Sequence, residues 1–156
     1  MSPATIQWIH RAAVLAHLAG VVVWMGAVAY YLLILRPAMR AAGLERRERY
    51  ALLVAIKARL RRVVGASLVV IVASGLVNAR LRGLLGGGAE ASPFQRRVFA
   101  WKMVVVGLLV LIFLFALPVL ARVRTGAVRG RLFNAVHVVV LLLGLLAAAG
   151  GILLSR

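Results

Sequence analysis

The chain contains no cysteine, and only three of its 156 residues are acidic. Without cysteine there can be no disulfide, thiolate zinc site, iron–sulfur cluster or cysteine nucleophile. The acidic residues, Glu45, Glu48 and Glu90, all fall between apolar runs. Intramembrane carboxylate relays, the usual device of proton-driven pumps, are therefore missing. There is no Ser/His/Asp set, no HExxH and no GxGxxG, so no catalytic residue is identified. No apolar run repeats charged or hydroxyl residues along its length, which argues against a lone pore.

What the chain has in abundance is apolar surface. Hydrophobic residues make up 64% and mean hydropathy is +1.02, so most of the surface has lipid as its solvent. The length suits one domain, residues 1–156. The net charge of +17 comes from basic residues clustered at the ends of apolar runs. That pattern is membrane topology rather than a nucleic-acid face.

The run from His10 to Pro37 organises the rest. Ala12 to Leu35 carries no formal charge, enough to cross a bilayer as one helix. His10, His17, Trp24 and Tyr31 recur every seven residues and share one face, with Gly20 close by to admit a neighbouring backbone. The tripeptide Ala27-Val28-Ala29 has the form of a signal-peptidase site, but the apolar run continues through Leu35, and the segment is read as retained.

Four spans are expected, at about residues 8–35, 63–82, 99–121 and 132–154, forming an all-α four-helix transmembrane bundle. Pro37 is expected to end the first helix, and Pro118 to kink the third. The patch Tyr50–Ile56 is too short to span and suits an interfacial or extended cytosolic helix. Residues 83–92, with three consecutive glycines, read as a loop closed by Pro93.

Nine Lys/Arg lie between Arg36 and Arg62 and four between Arg122 and Arg131, thirteen of the twenty in the chain. The positive-inside rule then puts these two loops in the cytosol and both termini on the outer, periplasmic side of a bacterial cytoplasmic membrane. The same loops favour anionic lipid headgroups as partners. A homo-oligomer or a larger membrane complex fits a small bundle of this kind, and nucleic acid does not.

With that topology, His17, Ser74, Asn78, Lys102 and Met103 all lie in the outer half, with His10 about 10 Å nearer the outer surface. An ionisable group several turns deep is costly and usually functional, which singles out His17 as a ligand or proton carrier. Lys102 either joins that site or snorkels to the headgroups. Asn78 either faces a ligand or bonds a neighbouring helix. The expected pocket has His17, Lys102, Trp24 and Asn78 as cofactor-binding residues, and His17, His10 and Met103 as metal ligands. His137 lies about 15–20 Å from the level of His17 and is read as an interface residue. Small residues on its seam, Gly144, Ala148 and Gly151, suggest close packing.

Residues His17 to Met39 resemble the opening helix of the copper-resistance D (CopD) membrane domain, in its His, Trp seven residues on, nearby Gly and terminal Arg-Pro. These are His17, Trp24, Gly26 and Arg36-Pro37 here. The segment Ser74–Leu81 is similar to that family's second-helix end, and Lys102 to its third-helix lysine. The resemblance implies copper handling at the membrane. The His/Trp spacing, the lysine and the RLFN before the last run are also similar to the HemJ-type protoporphyrinogen oxidase family, which implies haem b. The chain departs from that second pattern at Pro37-Ala38-Met39, where a second histidine is expected, and at Ala135, where an acidic residue is expected. Histidine suits either metal, while Cu(I) prefers sulfur donors that are scarce here. A non-catalytic subunit of a membrane complex is the third reading.

Overall fold

The computed structural model describes residues 2–85, 92–116 and 126–154. Among the described residues the chain forms four helices, each long and apolar enough to cross a bilayer. The first span comprises α1 (Pro3–Tyr30), a π-helical segment Tyr31–Leu35 and α2 (Arg36–Ala41). The second is α3 (Arg46–Leu81). The third is α4 (Pro93–Leu111), followed by a second π-helical segment, Ile112–Ala116. The fourth is α5 (Gly126–Leu154).

The helices are longer than the apolar runs because capping residues extend them. Ser2 accepts a hydrogen bond from the Thr5 N–H, and Pro3 follows at a position where no N–H is needed. Ser92 and Gln95 form a reciprocal capping box around Pro93, so the third helix begins at Pro93 rather than near Phe99. Glu45 and Glu48 do the same for α3. The basic segment with the Tyr50–Ile56 patch is therefore no separate interfacial element but the first turns of one 36-residue helix. At 1.5 Å per residue that helix is about 54 Å long, well beyond the roughly 30 Å hydrocarbon layer.

Pro37 does not end the first span. In the π-helical segment the Arg36 N–H bonds to the Tyr31 carbonyl, five residues back. That register shift just before the proline lets the helix continue through a residue that has no N–H to give. The second π-helical segment also ends two residues before a proline, Pro118. Pro118 itself, its expected kink and the expected stretch to Ala121 lie outside the described residues.

Two antiparallel helical hairpins make the bundle. In one, α1 packs along α3; in the other, α4 packs along α5. The hairpins meet where α1 touches α5 and where Val64, Leu68 and Ile71 of α3 share a buried cluster with Val105 and Leu109 of α4. Burying apolar groups adds little inside lipid, so close packing of small residues must hold helices together. At Gly20, a Cβ would stand 2.8 Å from Ile71 Cγ1 and 3.4 Å from the Ser67 carbonyl oxygen, so only glycine lets α1 and α3 approach this closely. Gly144 accommodates the Trp24 indole, whose Cζ3 lies 2.7 Å from where a Cβ would be. The small residues of the α5 seam thus receive large side chains rather than a neighbouring backbone. Trp24 stands at the centre of the core with Val64, Leu68, Ile71, Val105 and Leu109, which brings three spans onto one indole.

Candidate functional site

The Gly20 approach sets up His17 one turn earlier on α1. Its Nδ1 lies 2.9 Å from the Ile71 carbonyl oxygen and 3.2 Å from Ser74 Oγ. A carbonyl oxygen can only accept, so Nδ1 carries the proton and donates it to Ile71. The neutral ring then keeps its Nε2 lone pair. Ser74 is itself held in place by donating to the Val70 carbonyl. Gly75 makes room for the ring edge, with His17 Cε1 3.3 Å from its Cβ position. An imidazole with one N–H tied to a backbone carbonyl is the arrangement that orients a ligating histidine.

Beside His17 is a cavity of about 520 Å³. His17, Asn78, Lys102 and Met103 line it, and Trp24, Leu68 and Leu109 close it on the side of the core. The structure therefore brings five of the six residues singled out in the sequence to one cavity. His10 is not among the lining residues; it is half-buried, and its Nδ1 has no hydrogen-bond partner among the described residues. Seven residues of helix separate it from His17, about 10 Å along the axis.

The Lys102 Nζ lies 3.3 Å from the Cβ position of Gly151 on α5. The antiparallel register of α1 and α5 fixes the depth of this contact. Tyr31 faces His137, with ring centroids 5.2 Å apart, and seven residues along each helix Trp24 faces Gly144. A further seven bring His17 level with Gly151, and so with the Lys102 ammonium. Lys102 is also within electrostatic reach of His17 and Arg82. Asn78 contributes a buried side-chain oxygen with no hydrogen-bond partner among the described residues.

Some parts of the site had no clear sequence signal. A backbone carbonyl such as that of Ile71 carries none. The fourth wall, with Gly144, Ala147, Ala148 and Gly151, was legible only as a seam of small residues. Arg82, one turn beyond Asn78, also lines the cavity. His137 is buried against Tyr31, fourteen residues from the level of His17, or about 21 Å.

Among the described residues, no three His, Cys, Asp or Glu side chains cluster as a metal site would require. No family model, curated protein or solved structure matches the chain.

Proposed function

We propose that this cavity is a cofactor site for haem b, with His17 Nε2 as the iron ligand, in a four-helix protein of the bacterial cytoplasmic membrane whose termini face the periplasm. The observation that carries the reading is the His17 Nδ1–H bond to the Ile71 carbonyl, which leaves Nε2 as the ring's basic nitrogen beside a large apolar space. A volume of about 520 Å³ falls in the range of small-molecule and cofactor pockets. Lys102 and Arg82 supply positive charge for the two carboxylates that a b-type haem carries.

Copper, favoured by the CopD-like spacing, is the second reading. For a bare copper ion the cavity offers one imidazole and the Met103 thioether, next to an ammonium that repels a cation. That donor set fits a dianionic tetrapyrrole better than a free metal ion. When bound, haem would supply one-electron chemistry at its iron. This chain's part is then to orient His17, hold the carboxylates and exclude water with the Trp24 cluster.

Protein expressed with both haem precursor and copper supplied, then purified in detergent, tests the reading by absorbance and elemental analysis. A Soret band with stoichiometric iron is expected. Copper without iron would replace haem by the CopD-like reading, and neither metal would leave a structural subunit of a larger complex.

A further inference from the structure

Among the described residues Lys102 is a cation without a carboxylate partner. It stands nine residues into its helix, about 13 Å from Pro93 along the axis, at the level of His17. Among the described residues no carboxylate pairs with it. Glu45 and Glu48 are at the opposite end of α3, and Glu90 lies outside the described residues. An ammonium at membrane depth requires compensation, and among the described residues no acidic side chain beside it supplies any.

Asn78 makes an independent observation. Its Oδ1 is buried, lacks a partner among the described residues, and belongs to a residue that lines the same cavity. A buried amide oxygen left unpaired in this way calls for a donor from something that enters the cavity. The remaining lining is almost wholly apolar, with Val21, Leu68 and Leu109 among it. The complementary molecule is an amphiphile: an apolar body, one anionic group for Lys102, and a hydroxyl or water for Asn78.

Four apolar lining residues, Leu18, Leu76, Met103 and Ile152, are 55%, 41%, 39% and 62% exposed, so the cavity is open along its apolar wall rather than sealed.

We infer that the cavity takes up from the bilayer a membrane-dissolved carboxylate whose anionic group binds Lys102. This rests on the reading that the cavity is the ligand site, but not on iron. If haem is the cofactor, one of its carboxylates occupies the Lys102 position.

Trp24, on the cavity floor, provides the readout. Replacing Trp8→Phe and Trp101→Phe leaves it as the single tryptophan of three. This protein, in phosphatidylcholine vesicles at mildly alkaline pH, is titrated with dibrominated stearic acid or with its methyl ester. The acid should quench Trp24 saturably. The ester, or the acid with Lys102→Gln added, should need about tenfold more for half-saturation, as expected when a charge-assisted hydrogen bond is lost. Circular dichroism and thermal unfolding confirm that each variant folds. Equal, non-saturating quenching by acid and ester would overturn the inference, as would indifference to Lys102→Gln. Protein that shows a Soret band yet ignores the acid keeps the haem reading and loses this one, whereas acid binding by protein that takes up no haem does the opposite.

Discussion

Trp24 and Gly144 are a matched pair: the indole occupies the volume that any side chain at residue 144 would need, with Cζ3 2.7 Å and Cη2 2.9 Å from the Cβ position. The contact joins the two hairpins and closes the cavity from below. Gly26, two residues along α1, has nothing within 4 Å of its Cβ position.

Gly144→Ala should therefore destabilise the bundle by about 1–3 kcal/mol through overpacking of a filled interface. Gly26→Ala should be neutral or stabilising by roughly 0.5–1 kcal/mol, since alanine loses less backbone entropy in a helix. Unfolding in mixed detergent micelles measures both. Equal effects at the two positions would contradict the packing described.

His17→Ala should abolish the Soret band of the purified protein while helicity is retained. The stability lost with the Ile71 hydrogen bond should be about 1 kcal/mol, the usual net value of such a bond. His137→Ala should do the reverse: it removes a buried ring packed on Tyr31 and lowers the unfolding temperature, yet leaves the cofactor spectrum unchanged. A His137 variant without cofactor would place the metal at the other end of the bundle.

Because the native chain has no cysteine, single-cysteine variants report topology cleanly. Ser2→Cys should react with an impermeant maleimide added outside intact cells, and Gly43→Cys only after permeabilisation. Gly43 has φ +61 in the turn that joins α2 to α3, where nothing stands within 4 Å of its Cβ position, so a label there is sterically free. Outside labelling at Gly43→Cys alone would invert the orientation.

Ser92→Ala should cost about 1 kcal/mol, because it removes half of the capping box that starts the third span. Ser92→Asp should retain most of that stability, as its side chain can accept the same Gln95 N–H. Detergent unfolding of the two variants is the check, and equal losses would remove the cap from the account.

Local, repetitive features of this chain were legible in its residues. Four apolar stretches long enough for a bilayer specify four helices, since lipid leaves a backbone no other way to satisfy its polar groups. A seven-residue spacing is nearly two helical turns, which puts His17, Trp24 and Tyr31 on one face whatever packs against it. The capping boxes Glu45–Glu48 and Ser92–Gln95, which a reading by apolar runs passes over, explain why the helices outrun their apolar runs.

Only the tertiary structure decided what stands opposite each of those residues. Register across a helix pair depends on the summed fit of side chains distant in sequence, so no local pattern announces that Trp24 meets Gly144 or that Tyr31 meets His137. Nor does any local pattern announce that the Lys102 Nζ stands against Gly151, forty-nine residues further along the chain. His10 and His17 share a helical face, yet only His17 reaches the cavity, because the Gly20 contact brings α3 to that level. The protonated nitrogen of His17 was settled by the Ile71 carbonyl, a backbone group that every residue possesses and that only a fold can aim.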